Sequence, residues 1–351
     1  MIALLVAGAI AMALSLAATR TLMVLLRSKG HSQPILLQNA DNLAVPQHQH
    51  KAGTPTMGGI AFLSAALLGY GITHIRSGVV FSDQTLIVIA GIISMAAIGL
   101  IDDAIKVRAK RNRGVFWKVK GLITLALSFA IAGALVLTTD IDTRVSLTRA
   151  DLPGWQLGSV GWVIWAGLII FATANAVNVT DGLDGLAAGS ALFAFAAFAG
   201  IAYLAFRNPD IYGNVINPHD LAVLAAALAG ACVGFLWWNA APAQIFMGDV
   251  GALGVGAGLA LLALTTNTQL LLPLLCAINV FEIGSVAVQM GVFRASGRKK
   301  RLFQMSPIHH HFEMVGWPET TVIIRFWLLA GLSVAGAVAI FIADFTEQAS
   351  R

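Results

Sequence analysis

Apolar residues run along this chain in long blocks, each close to the length of a bilayer-crossing helix, and polar residues gather in the gaps. The blocks fall near 1–26, 57–75, 85–101, 118–138, 159–178, 186–206, 219–238, 250–266, 268–291 and 322–345. The pattern predicts an all-α polytopic membrane protein of about ten transmembrane helices. The first block has no positive stretch before it and no small-residue cleavage site, so it reads as a retained span rather than a signal peptide. The longest gaps, near 27–56, 139–158 and 292–321, are too short for a soluble domain, and 1–351 reads as one membrane domain.

Composition agrees: 58% of residues are hydrophobic, 11% are charged, and the mean hydropathy is +0.80. These values exclude a soluble globular protein, a disordered chain, collagen and a disulfide scaffold. Cys232 and Cys276 lie inside apolar blocks, where a thiol is a small buried hydrophobe. The net charge of +5 would suit nucleic acid, but basic residues of membrane proteins gather in cytoplasmic loops, and nucleic acid is not expected as a partner. Arg27, Lys29, Lys51, Lys106, Arg108, Lys110, Arg111, Arg113, Lys118, Lys120, Arg294, Arg298, Lys299, Lys300 and Arg301 flank the odd-numbered gaps. The even side holds Arg76, Arg144, Arg149, Arg207 and Arg351. This bias predicts odd loops in the cytoplasm and both termini in the periplasm.

Acidic residues are few, and several stand at the predicted cytoplasmic helix ends. A charge at the edge of the hydrocarbon is costly and marks a functional candidate. Asp102 and Asp103 close the third block; adjacent carboxylates on a helix point different ways and can divide two tasks, such as holding a cation and taking a proton. Asn175 to Leu186 joins Asn178, Asp181 and Asp184 with two glycines, so backbone donors and acids can meet a ligand at a helix junction. Asp249 lies between Gly248 and Gly251, with Phe246 near enough to stack on a ring. A tight turn with an exposed aromatic is the plainer reading of that segment.

Two more segments carry chemistry. His309, His310 and His311 are consecutive, so they cannot all face one ion on a regular element, and zinc is disfavoured; binding phosphate oxygens or moving protons suits them better. His50 to Gly59 offers Lys51, hydroxyls and glycines for phosphate without being a P-loop. Carboxylates without nearby cysteines favour Mg²⁺, with Mn²⁺ possible, and the surrounding cations favour a phosphate-rich substrate. Together these residues are equipment for phosphoryl transfer at a membrane face, between a soluble nucleotide-activated compound and a lipid phosphate.

The segments Asn175 to Ala187, Gly53 to Gly59, Phe246 to Asp249 and Pro307 to Glu313 closely resemble those of the phospho-N-acetylmuramoyl-pentapeptide-transferase family, over about 20 to 345. The resemblance implies a Mg²⁺-dependent bacterial enzyme of ten helices in the inner membrane lipid bilayer, often a homodimer. It would transfer phospho-N-acetylmuramoyl-pentapeptide from UDP-N-acetylmuramoyl-pentapeptide to undecaprenyl phosphate, giving lipid I and UMP in the first membrane step of peptidoglycan synthesis. A polyprenyl-phosphate N-acetylglucosamine-1-phosphate transferase and a nucleotide-sugar transporter are the alternatives. The family pattern implies Asp249 as a metal ligand, with Asp102 and Asp103 binding metal or lipid phosphate. It implies Lys51, Asp184, Asn239 and Phe246 near the uridine, and Asn175, Asn178 and Asp181 at the catalytic floor. Lys120, Gln289 and His309 would lie near the phosphates or sugar, with Lys118 an alternative register for Lys120, and Thr56, Gly182, Leu183, His310 and His311 would also bind substrate. Ala241, Val250 and Ala252 depart from the family's usual His, Thr and Ser, and activity is expected to survive these changes.

Overall fold

The computed structural model describes residues 1–28, 51, 53–77, 81–109 and 114–351. Lys29, His50, Lys110, Arg111 and Arg113, counted among the candidates above, lie outside the described residues. The helices are α1 (Ile2–Ser28), α2 (Gly59–Ser77), α3 (Asp83–Arg108), α4 (Trp117–Thr138), α5 (Gly158–Thr180), α6 (Leu186–Arg207), α7 (Pro209–Tyr212), α8 (Pro218–Asn239), α9 (Gly248–Thr265), α10 (Leu272–Leu275), α11 (Ala277–Ala295), α12 (Ile308–Met314) and α13 (Glu319–Ala349). Among the described residues, eight are long and apolar enough to cross a membrane (α1, α3, α4, α5, α6, α8, α9 and α13), and α2 supplies a shorter apolar helix over Gly59–Ile75. This is a multi-pass membrane protein.

Two expectations change. The 139–158 gap is not all coil: β1 (Arg144–Arg149) and β2 (Leu152–Gln156) pair antiparallel, so the chain is not purely α. Register shifts interrupt the ladder, and Pro153 and Gly154 sit in β2, which hides the period-two pattern expected of a strand. The predicted span at 268–291 begins later, because residues 266–271 form a turn with Thr266, Asn267, Thr268 and Gln269 buried, and only the one-turn α10 precedes α11.

α9 is the axis of the molecule. It is apolar on every side, and such a helix is stable only when enclosed; every residue except Asp249 is buried. α3 and α5 pack along it, with α2 and α6 completing the sheath, while α1 and α6 pack on α8. Small residues let these backbones approach closely, as where Ser15 Oγ donates to Ala231 O at 2.7 Å between α1 and α8.

The bundle has two distinct ends. At one, Ser82 caps α3 and Asp220 of α8 accepts from Tyr70 Oη at 2.7 Å. Nearby on that end, Thr148 Oγ1 and Arg149 Nε of the hairpin donate to Asp344 of α13 at 2.6 and 3.0 Å. At the other end the C-termini of α1, α3, α5 and α8 meet the N-termini of α2, α4, α6, α9 and α13. Arg27 belongs to that second end, donating to Gln244 O at 3.2 Å.

Candidate active site

A close crossing in this second end joins α3 to the start of α9. A Cβ on Gly99 would lie 2.2 Å from the Asp249 carbonyl oxygen, so the two backbones touch there. That contact brings Asp102 and Asp103, one turn further along α3, beside Asp249. One oxygen from each of the three carboxylates lies within 4.8 Å of the others. Asp103 Oδ2 accepts from Val250 N at 3.1 Å, and Asp102 Oδ1 from Val115 N at 2.7 Å. The neighbouring acids therefore turn to different elements. Gly248 has a φ of +74°, and a side chain on it would collide with Asp103 Oδ2 and Thr56 Oγ1; both the backbone and the space demand glycine.

Two lysines face these acids. Lys106 Nζ lies 2.7 Å from Asp102 Oδ2 and 3.0 Å from Asp249 Oδ2. Lys120 donates to Asp249 and stands 3.5 Å from Asp102 Oδ2. Lys118 is exposed, over the Trp117 ring, so the register at the start of α4 places Lys120 at the site. Three hard carboxylate oxygens in this spacing suit a small divalent cation, whose octahedral ligands stand about 3–4 Å apart. The donor set fits Mg²⁺ or Mn²⁺.

The segment before α2 is stitched to the segment before α9. Phe246 N donates to Pro55 O at 2.8 Å, Gly58 N to Phe246 O at 2.9 Å, and Gly59 N to Met247 O at 2.9 Å. This pairing places Thr56, whose buried hydroxyl has no hydrogen-bond partner among the described residues, beside Gly248. It leaves Phe246 half-buried at the rim. Lys51 is buried and bridges Asp184 Oδ1 at 2.8 Å and Glu319 Oε1 at 2.6 Å. Asp184 also accepts from Ala243 N at 2.8 Å, and Asn239 Nδ2 donates to Ile245 O at 2.9 Å, so these two residues brace the loop after α8.

The α5–α6 junction supplies the floor. Asn178 and Asn175 lie half-buried on the last turns of α5, and Asn175 Nδ2 donates to Phe171 O at 2.8 Å. Asp181 follows the helix, Gly182 is exposed, and Leu183 is buried in a side cluster with Ile308 and Phe326. Burial, and then the charges of Asp249, Asp103 and Asp184, push the Asp181 carboxyl well above the ordinary carboxylate range.

The three histidines point three ways, as successive residues on a short helix must. His309 is buried with Nδ1 at 3.0 Å from Glu282 Oε2, and its Nε2 packs against Gly182. His310 Nδ1 meets Glu313 Oε2 at 2.7 Å, and His311 Nδ1 accepts from Gln304 N at 3.2 Å. Gln289 is occupied by backbone: Oε1 accepts from Leu302 N and Phe303 N at 3.0 Å each, and Nε2 donates to Phe303 O at 3.0 Å. It fixes the approach to α12. Among the described residues, the structure adds Lys106, Glu282 and Glu319 to the expected set. Lys106 stands four residues after Asp102, a helical ion-pair spacing that could have singled it out.

Residues 85–267 match glycosyl transferase family 4. With the multi-pass fold and the acid–lysine cluster at one helix-end face, they define the class: a membrane-embedded transferase. Residues 51–63 match phospho-N-acetylmuramoyl-pentapeptide-transferase signature 1, the stretch that carries Lys51 and Thr56. Proteins named phospho-N-acetylmuramoyl-pentapeptide-transferase from Frankia alni and Mycobacterium tuberculosis are each 41% identical to this chain, over 98% and 97% of it respectively and 98% of their own lengths. One of that name from Rhodococcus opacus is 42% identical, over 97% of this chain and 98% of its own. The chain belongs to the phospho-N-acetylmuramoyl-pentapeptide-transferase family.

Proposed function

We propose that this protein transfers phospho-N-acetylmuramoyl-pentapeptide from its UDP carrier to undecaprenyl phosphate in the bacterial inner membrane, with the site face in the cytoplasm, both termini in the periplasm, and Mg²⁺ or Mn²⁺ as cofactor. The observation that carries this reading is the meeting of Asp102, Asp103 and Asp249 with Lys106 and Lys120 where helices leave the apolar zone.

In the reaction, an oxygen of the lipid phosphate attacks the sugar-bearing phosphorus of the UDP-sugar. The bond from that phosphorus to the UMP oxygen breaks, and the products are lipid I and UMP. Lys106 and Lys120 draw the anionic lipid phosphate to the helix ends and hold it in line. Asp102, Asp103 and Asp249 would hold the cation, which supplies charge neutralisation to the diphosphate and its leaving group. Lys51, Asp184 and Phe246 form a rim for the nucleotide, with Phe246 placed to stack on a base. Direct attack suits a nucleophile that is already anionic, so no covalent phospho-aspartate is invoked.

The test is UMP release by the detergent-solubilised full chain, given UDP-N-acetylmuramoyl-pentapeptide, undecaprenyl phosphate and Mg²⁺. EDTA and Asp249→Ala should each abolish release. Release that persists under either condition overturns the assignment of the cluster, and the absence of release from the intact protein overturns the function.

A further inference from the structure

α11 is an apolar helix with one polar stripe turned inward. Asn279, Glu282, Ser285 and Gln289 share a helix face and are all buried. The side chains of three have defined bonds: Asn279 Nδ2 donates to Thr180 Oγ1 at 3.0 Å, Ser285 Oγ to Glu282 O at 2.6 Å, and Gln289 holds residues 302–303. Glu282 differs. Its side chain is 0% exposed, and beyond the approach of His309 Nδ1 at 3.0 Å neither carboxyl oxygen has a hydrogen-bond partner among the described residues.

A buried carboxyl group is costly without a polar neighbour, and the group within reach is the His309 imidazole. The far side of that ring is equally specific. Among the described residues neither ring nitrogen of His309 has a hydrogen-bond partner, Nδ1 facing Glu282 at 3.0 Å, and a Cβ on Gly182 would stand 2.3 Å from Nε2. Gly182 itself is exposed, next to Asp181. Nε2 therefore lies one backbone thickness behind the surface of the catalytic floor.

We infer that Glu282 is a positioning residue for His309. Its carboxyl, 3.0 Å from Nδ1, fixes the ring so that the Nε2 edge seats against Gly182 and holds the 181–184 turn, and with it the floor of the substrate site, in place. The inference rests on the transferase reading above. The other titratable groups around the ring are Asp181 beside Gly182 and, on α12, Glu313 and His310, whose ring centroid is 4.2 Å from that of His309. α13 faces this region with Val322, Ile323 and Phe326, packed on Ile308 and Ile278.

The experiment measures kcat and KM for the UDP-sugar separately in the full-length protein, comparing wild type, Glu282→Gln, His309→Asn and the double variant. Glu282→Gln keeps the shape and removes the charge. We expect kcat/KM to fall roughly 10–100-fold, the range for carboxylates that orient metal-bound imidazoles, mainly through KM. Glu282→Asp should restore part of the loss, and Glu282→Gln should add little in a His309→Asn background.

Wild-type constants in Glu282→Gln, or losses that multiply in the double variant, overturn the inference while leaving the transferase reading intact. If Glu282→Gln does not fold, Glu282→Asp and His309→Asn decide: a raised KM with kcat largely kept in both supports the inference, and a wild-type KM in either overturns it. A wild-type protein that releases no UMP fails the transferase reading instead.

Discussion

Gly99 offers a sharp test of how the site is assembled, because it lies outside the chemistry and inside the joint. Its position against the Asp249 carbonyl leaves a built Cβ 2.2 Å from oxygen and 2.3 Å from the carbonyl carbon. Ordinary contact needs about 3.4 Å or more, so in Gly99→Ala the α3 and α9 backbones must part by about 1 Å at this point. Both neighbours are backbone, so no side chain can rotate away. Overpacking of this kind costs roughly 1–3 kcal/mol, and α3 and α9 remain packed along the rest of their length, so the variant should fold. Its effect should fall on activity. A displacement of about 1 Å between reacting groups can cost on the order of 100-fold, and here it falls between Asp249 and the Asp102–Asp103 pair. The assay is UMP release at saturating substrates over a Mg²⁺ titration, with thermal unfolding followed in parallel. We expect a raised Mg²⁺ requirement and about a 100-fold drop in kcat. Gly133→Ala, where a Cβ meets nothing within 4 Å, serves as the control and should change neither. Full activity of Gly99→Ala at the wild-type Mg²⁺ requirement would refute the idea that this contact sets the carboxylate spacing.

Other outcomes follow from the same geometry. Lys120→Ala should lower kcat/KM by at least about tenfold, whereas Lys118→Ala should stay near wild type; equal effects in the UMP assay would reverse the register at the start of α4. Asp181 is raised above its unfolded value, so the stability it gives is full below the ordinary carboxylate pKa and is lost as pH rises through the folded one. Asp181→Asn should therefore raise the Tm in EDTA at neutral pH and leave it unchanged in acid, while activity falls; a Tm gain that is the same at both pH values would exclude the electrostatic cause. Asp344→Ala removes the acceptor of Thr148 and Arg149 and should cost roughly 1–2 kcal/mol in unfolding experiments without moving KM. Val250→Thr should leave activity within about twofold, because Asp103 is held by the backbone N–H of Val250 whatever its side chain.

Much of the site was legible before any coordinates. Asp102, Asp103, Asp181, Asp184 and Asp249 interrupt apolar helix ends, where a carboxylate needs a reason to exist, and glycines mark the places where backbones or ligands come close. Lys106 was harder to separate, being one cation in a basic run until its distance to Asp249 is known. Glu282 was hidden differently. Its stripe is embedded in an apolar block, and α11 inverts the soluble rule by turning Asn279, Glu282 and Gln289 inward while Val280, Phe281 and Val288 face out. The hairpin carries no sequence signal because its ladder is too short and irregular to show a period. The stitch between residues 55–59 and 246–247 joins backbone atoms, and backbone pairing between distant segments leaves no mark on side-chain pattern.

The enclosure of α9 also bears on how the surrounding lipid can act on this protein. α1, α4 and α13 present most of their surface outward, so a thicker or differently charged leaflet bears on their tilt first. Asp249 rides on α9, the most enclosed of the membrane-crossing helices among the described residues, anchored to Asp103 through its own first turn. Changes in lipid composition should therefore alter how a prenyl substrate arrives more than how the carboxylates are spaced.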